Sequence, residues 1–261
     1  MVVRSGTGTS DIAGVFHGDN EIDAIYHGTT NVYQSTPPRL YLLNTTNDRL
    51  EIADENLRSS SRVGRTTRFG TNERDPRGLA SYGGNLYMIG DDQLGIYTLD
   101  TSTGRATRIG TGAHGSGSSG FFSHGDELIE IASNGVAERF NPTTGARNGA
   151  IQLGGGDSGI LDGISHGGSV YFVSSGFLFI TDTMNLKTFA INIITVGSLN
   201  VGIVRSISSD GRNMYVLSDN HDLYRIDLVS SGSGTTIRST RVTPNSGFPA
   251  RSYRAIAFHR G

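Results

Sequence analysis

Acidic residues and histidines recur in a few Gly- and Ser-rich segments of this 261-residue chain. Two carboxylates facing each other across such loops could serve a glycosidase, which needs an acid and a base or nucleophile beside the scissile bond. The candidates for such a role are Asp91, Asp92, His114, Asp157, Asp162, Asn220, His221 and Asp222. No hydrolase motif surrounds them, and acidic residues in Gly/Ser loops usually form turns. We therefore predict that the chain is not an enzyme.

The same loops are the natural place for a ligand, because binding residues concentrate on loops that a rigid scaffold holds. An aromatic ring combined with carboxylate, amide and imidazole groups is typical of a site for a sugar. The residues that we predict to bind a ligand are Asp91, Asp92, Phe121, Asn220, His221 and Tyr253. The alternative is that these loops only connect strands and shield a central channel.

Other kinds of site are not indicated by the sequence. The chain has no cysteine, and its seven histidines lack the spacing of metal ligands. The segments GSGSSG at 115–120 and GGGDSG at 154–159 lack the Lys-Ser/Thr ending of a phosphate loop. A net charge of −2 gives no reason to expect nucleic acid, and there is no apolar run of about 18 residues that could span a membrane. We expect no cofactor and no metal.

A repeated strand pattern must position these loops. Residues 78–111 contain four short strands separated by turns, with apolar residues at every second position. The second strand of this unit recurs at Leu40, Leu86, Leu128, Val170 and Met214. These steps of about 42 to 46 residues are typical of propeller blades. The third strand ends in a turn-forming residue at Asp54, Asp100, Asn141, Asp182 and Asp227.

The first strand of the unit also occurs five times, but one copy is displaced to the end of the chain. The copies lead into Tyr82, His124, His166, Asp210 and His259. No second strand follows the last copy, whereas the first blade starts at Arg39 with a second strand and lacks a first one. The sequence therefore predicts an all-β, five-bladed propeller over residues 39–261, with four-stranded antiparallel blades and a ring closed by the C-terminal strand.

Residues 1–38 follow a different pattern. IAGVFHGDNEI is followed by IDAIYHGTTNV, a repeat of about ten residues that predicts two short hairpins. Hairpins of this size are marginally stable alone, so the segment needs a partner. The stiff TPPR sequence at 36–39 separates it from the first blade. We predict that residues 1–38 form a small β-hairpin docking arm.

The doubled pattern of the arm resembles a short repeat at the start of many bacteriophage tail and tail-fibre proteins. The matching residues are Ile12, Val15, Phe16, Gly18, Ile22, Ile25, Tyr26, Gly28, Val32 and Tyr33. The blade pattern is similar to a repeat in propellers of bacteria and their phages. The docking contacts that this resemblance implies are Ile12, Phe16, Ile22, Ile25, Tyr26, Val32 and Tyr33.

Together, the two resemblances imply a non-enzymatic structural component of a phage virion, in the tail or tail fibre and assembled in the host cytoplasm. The arm would dock onto other phage tail proteins as part of a homo-oligomer, and the propeller head would meet a host-surface receptor or glycan. One alternative is a soluble, lectin-like propeller. Another is a propeller glycoside hydrolase, which would require Asp91, Asp92, Asp157 and Asp162 to point into the central funnel.

Overall fold

The structure is a computed structural model that describes the backbone of five short strands within residues 2–34 and most of residues 37–260. The second range is described except for residues 55, 58, 65–75, 91–94, 114–117, 133, 154–158, 182–189, 192–193, 232–233 and 243–252. All regular elements in the described residues are β-strands.

Five four-stranded antiparallel sheets form the blades of the propeller, as predicted. Blade 1 contains, from the axis outward, β26 (Tyr253–His259), β6 (Arg39–Asn44), β7 (Arg49–Ala53) and β8 (Ser60–Arg62). Blade 2 contains β9 (Pro76–Tyr82), β10 (Asn85–Gly90), β11 (Gly95–Leu99) and β12 (Ala106–Thr111). Blade 3 contains β13 (Ser118–His124), β14 (Glu127–Ala132), β15 (Val136–Phe140) and β16 (Arg147–Leu153).

The remaining two blades follow the same plan. Blade 4 contains β17 (Ile160–His166), β18 (Ser169–Ser174), β19 (Phe177–Thr181) and β21 (Ile194–Ser198). Blade 5 contains β22 (Val204–Ser209), β23 (Met214–Ser218), β24 (Leu223–Ser231) and β25 (Gly234–Arg241). The two-residue strand β20 (Ala190–Ile191) pairs in parallel with β16 at the outer edge of blade 3.

The C-terminal strand closes the ring, which confirms the prediction from the displaced repeat. β26 pairs antiparallel with β6, from Tyr253 opposite Asn44 to His259 opposite Arg39. Blade 1 is therefore built from both ends of the propeller segment. This closure covers the inner edge of β6, which would otherwise be open to pairing with another chain.

The hydrophobic core consists of five clusters, one at each seam between neighbouring blades. Alternate residues of one strand face opposite seams: Leu86 and Met88 pack toward blade 1, whereas Tyr87 and Ile89 pack toward blade 3. Both faces of each blade are thus buried, and for that reason the second strands are almost continuously apolar.

The turn after the third strand has the predicted chemistry in two blades and differs in another. The Asp100 Oδ1 atom accepts hydrogen bonds from the backbone N–H groups of Ser102 and Thr103, and Asn141 caps its turn in the same way. The prediction is wrong at Asp227, which lies inside β24 opposite Arg238, because this strand continues to Ser231. Asp182 lies outside the described residues.

The strands of residues 1–34 form two small sheets of their own. One contains β1 (Val2–Ser5), β2 (Ile12–His17) and β3 (Asn20–Glu21), and the other contains β4 (Ala24–His27) and β5 (Thr30–Gln34). Each of the two repeats contributes one antiparallel hairpin, β2–β3 and β4–β5. The predicted docking residues lie on these strands, apart from Ile22, which lies outside the described residues.

Candidate functional site

The innermost strands of the blades lie side by side around the central axis. We call the end at which they begin the entry end, and the end at which they turn into the second strands the exit end. Glycines allow the close approach between neighbours: a Cβ atom added to Gly120 would lie 2.6 Å from the Cα atom of Asp162. The two ends carry different side chains: those at the exit end have a structural role, and those at the entry end form the candidate site.

A β-bulge occurs at the same position in all five innermost strands. In each strand, the second residue is skipped in the pairing with the neighbouring strand. The skipped residues are Arg77, Ser119, Leu161, Arg205 and Arg254. Bulges are common at the rims of closed sheets and beside functional sites, because they re-aim a side chain.

Three of the bulges place an arginine near the entry end. Arg205 is exposed, although Val204 and Ser206 on either side of it are buried. Arg77 and Arg254 are half-buried and likewise stand between buried neighbours. An innermost strand has other strands on both sides, so the solvent that it reaches lies in the channel and at its mouth. The entry end of the channel thus carries the arginines of three bulges.

Serine and histidine side chains link the innermost strands at the exit end. His124 Nδ1 lies 2.7 Å from Ser165 Oγ, His166 Nδ1 lies 2.8 Å from Ser209 Oγ, and His259 Nδ1 lies 3.0 Å from Ser81 Oγ. Burial lowers the pKa of His166 and of His259, and the charge of Asp210 partly opposes this effect at His166. These side chains serve to hold the ring together, so the sequence pattern Ser-His in the first strands is structural.

Asp162 is a second linking group, deep between blades 3, 4 and 5. Its Oδ1 atom accepts hydrogen bonds from the backbone N–H groups of Phe121 and Gly163, and its Oδ2 atom accepts from Ser206 Oγ at 2.6 Å and Ile207 N at 3.1 Å. Burial raises the pKa of Asp162 to about 7, although these hydrogen bonds act in the opposite direction. Both carboxylate oxygens are occupied in linking three blades.

His221 and Asn220 lie at the entry end, in the turn between the second and third strands of blade 5. His221 has a φ of 63°, a left-handed conformation that is uncommon for a residue other than glycine. Its Nδ1 atom is buried and has no hydrogen-bond partner among the described residues. Burial and the nearby charge of Arg205 lower the pKa of His221, against the opposing charges of Asp219 and Asp222. A neutral imidazole and the exposed Asn220 amide therefore stand beside Arg205.

Tyr253 is brought next to His221 across the seam between blades 5 and 1, with 6.1 Å between the ring centroids. Its ring is buried, and its hydroxyl donates a hydrogen bond of 2.7 Å to Glu51 Oε2. Glu51 also accepts hydrogen bonds from Asn44, Arg49 and Ser60. The Tyr253 hydroxyl is thus part of a buried network that joins the four strands of blade 1.

Of the other predicted ligand-binding residues, the structure describes Phe121, and it is not brought together with His221. Phe121 is completely buried between blades 2 and 3, so its ring has no exposed face. Asp91 and Asp92 lie outside the described residues, as do His114 and Asp157. Of the four aspartates that a glycosidase would require in the funnel, Asp162 alone is described, and it is buried.

The arginines of the bulges were missed by the sequence analysis, although the sequence holds a signal for them. In three first strands, an arginine directly precedes the repeated core of the strand, in the segments RGLAS, RSISS and RAIAF. Hydrophobic periodicity does not reveal the bulge, because a skipped residue leaves the apolar pattern intact on either side.

In the described part of the chain, no group of three or more His, Cys, Asp or Glu residues is arranged to hold a metal ion. No described helix is long and apolar enough to cross a membrane.

Comparisons with known proteins show the fold and go no further. No protein-family model matches the chain, and a search of curated proteins found no match. A chain of the crystal structure of a nidogen/laminin complex is similar over 85% of this chain and 98% of its own length, with 12% identity and a TM-score of 0.51. The PorZ protein of Porphyromonas gingivalis (18% identity, 77% of this chain, 25% of PorZ, TM-score 0.47) and the glutaminyl cyclase of Myxococcus xanthus (14%, 79%, 97%, 0.46) are also similar. At these identities, the likeness extends to the propeller architecture alone.

Proposed function

We propose that the chain is a non-enzymatic structural component of a bacteriophage virion, in the tail or tail fibre. Residues 1–38 dock onto other tail proteins, and the propeller is the head presented outward to a host-surface receptor or glycan. Copies of the chain associate within the virion as a homo-oligomer.

The doubled arm is the observation that carries this proposal. Its two repeats form two hairpins in sheets of two and three strands, separate from the sheets of the blades. Sheets this small have little stability of their own, and their edge strands can pair with another chain. A free lectin or hydrolase has no need for such a segment, whereas a protein anchored in a larger assembly does.

Immunogold electron microscopy of phage from the source culture tests the proposal, with an antibody against the full chain. We expect gold confined to the tail end of intact particles. Gold absent from particles, with the protein free in the lysate, would contradict the virion role and favour the soluble lectin.

A second experiment tests the arm itself in phage that carry altered full-length chains. Phe16 and Tyr26 occupy equivalent positions in the two repeats, and we expect the double variant Phe16→Ser/Tyr26→Ser to be lost from particles. Thr29→Ser, at a position outside the repeat pattern, is the control and should be incorporated normally. Normal incorporation of the double variant, with the propeller still folded, would contradict docking through the arm.

A further inference from the structure

The three arginines of the bulges occupy consecutive blades. Arg205 belongs to blade 5, Arg254 to blade 1 and Arg77 to blade 2, and these blades follow one another around the ring. Ser119 and Leu161 hold the same position in blades 3 and 4. The entry end therefore has an arc of three arginine positions on one side, and a serine and a leucine occupy the corresponding positions on the other.

Hydrogen bonds between the innermost strands keep this arc compact. Ser206, next to Arg205, accepts a hydrogen bond of 3.2 Å from the backbone N–H of Ile256, two residues after Arg254. On the other side of blade 1, the Ser81–His259 contact joins β26 to β9, the strand of Arg77. The backbones that carry the three arginines are thus fixed relative to one another, so the three side chains start from defined positions around the channel.

Arg205 is not engaged in a side-chain contact that would occupy its guanidinium group within the described part of the chain. No described residue forms a hydrogen bond or ion pair with it. The oxygens of Asp162 accept hydrogen bonds in the interior of the ring, and Asp222 at the entry end pairs with Arg241. The charge of Arg205 does reach His221, where it lowers the pKa of the imidazole.

We propose that the arc of Arg77, Arg205 and Arg254 at the entry end of the channel binds the anionic group of a surface polysaccharide, a carboxylate or a phosphate. A guanidinium group presents a planar fork of N–H donors that matches both anions. Several such groups at one mouth with low-dielectric walls also concentrate an anionic ligand there. The neighbouring Asn220 amide and His221 imidazole supply polar partners for sugar hydroxyl groups. This inference rests on the proposed function for the origin of the ligand.

Binding of defined saccharides to the purified full-length chain tests the inference by titration calorimetry at low salt. The probes are trigalacturonate with its neutral methyl ester, and glucose 1-phosphate with glucose. We expect at least one acidic probe to bind about tenfold or more tightly than its neutral counterpart, with affinity falling as salt is raised. The acidic probe that binds distinguishes a carboxylate from a phosphate ligand.

Substitutions then assign the binding to the arc. Arg205→Gln should weaken the acidic probe about tenfold, and Arg77→Gln/Arg205→Gln/Arg254→Gln should remove binding. Arg238→Gln on the outer strand β25 of the same blade is the matched control and should leave the affinity unchanged. Because Arg205 is exposed, its single variant keeps the test valid even if the triple variant does not fold.

Two results would overturn the inference: equal binding of acidic and neutral probes, including no binding of either, or an Arg205→Gln variant that binds like Arg238→Gln. Failure of the proposed function looks different, because it appears as gold absent from particles. In that case, a chain that still binds the acidic probe through Arg205 would be a soluble lectin for anionic glycans.

Discussion

Glu51 should be the side chain on which closure of the propeller depends most, because it joins all four strands of the blade made from both ends. Its Oε1 atom accepts from Asn44 Nδ2 on β6 and Arg49 Nε on β7, each at 2.8 Å. Its Oε2 atom accepts from Ser60 Oγ on β8 and the Tyr253 hydroxyl on β26, each at 2.7 Å. The test is Glu51→Gln, which keeps the size of the side chain but replaces one acceptor oxygen by a donor.

The expected magnitude follows from the pKa of this carboxyl group. Burial disfavours its charge, but the hydrogen bonds from Ser60, Tyr253, Arg49 and Asn44 outweigh burial and lower the pKa from 4.5 to about 2. Each pKa unit corresponds to about 1.4 kcal/mol, so the ionised group stabilises the fold by ~3 kcal/mol at neutral pH. Since the side chain has no exposed surface, solvent does not screen these contacts. Because the folded pKa lies below the unfolded one, the contribution is complete above pH 4.5 and is lost as the pH falls toward 2.

Urea unfolding at pH 7 and at several values down to pH 2.5 measures the effect. We expect Glu51→Gln to lower the free energy of unfolding by ~3 kcal/mol at pH 7, and this difference from wild type to shrink below pH 4.5. Asp126→Asn, in an exposed turn, removes the same charge and should change stability by less than about 0.5 kcal/mol. A Glu51→Gln variant as stable as Asp126→Asn at neutral pH, or a difference that does not depend on pH, would refute this account of the closure.

Three further results are expected. Asp162 has a folded pKa of about 7 against 3.8 for the free group, so its contribution to stability should decrease as the pH rises from about 3.8 to 7. The free energy of unfolding, measured across this range, should show that decrease in wild type, and the decrease should be absent in Asp162→Asn. Gly78→Ala would place a Cβ atom 2.4 Å from the Cβ of Phe121, so it should lower the free energy of unfolding by ~2 kcal/mol or more in chemical denaturation. Gly83→Ala has open space around the new Cβ but a φ of 57°, and it should lower the free energy of unfolding by ~1 kcal/mol in the same assay. Removal of residues 253–261 takes the innermost strand from blade 1 and should abolish the cooperative thermal transition seen by circular dichroism; a cooperative transition that persists would contradict closure by β26.

The architecture was predictable because the repeated positions of the sequence are apolar side chains that the propeller buries. Apolar second strands spaced by one blade and a displaced first strand near His259 are enough to infer five blades and their closure. The prediction failed locally at Asp227, where an acidic residue lies on the surface of a long strand and no turn follows it. A residue type that favours turns does not fix a turn when strand pairing continues on both sides.

The candidate site was harder to predict because residue type alone does not determine whether a side chain is buried or exposed. Phe121 and Tyr253 were selected as aromatic residues in loop-like sequence, yet both belong to the core. His221 and Asn220 lie at the entry end, because the turn after a second strand is at that end, and their role in binding stays a prediction. The exposure of the bulge arginines could not be predicted, because a bulge depends on the pairing between two strands and the sequence of one strand does not determine that pairing.

The side chains of the innermost strands have different roles at the two ends of the channel. At the exit end and in the interior, the polar side chains Ser165, His124, Ser209 and Asp162 bond to neighbouring blades, so their chemistry is used in holding the ring together. At the entry end, each strand skips one residue, and a skipped residue is released from pairing without breaking the ring. A substitution there can change the surface at little cost to the fold, whereas a substitution at the exit end cannot. If the propeller binds a ligand as proposed, variation in its specificity should be concentrated at the bulges, which makes Arg205 a better residue for testing binding than any of the histidines in the ring.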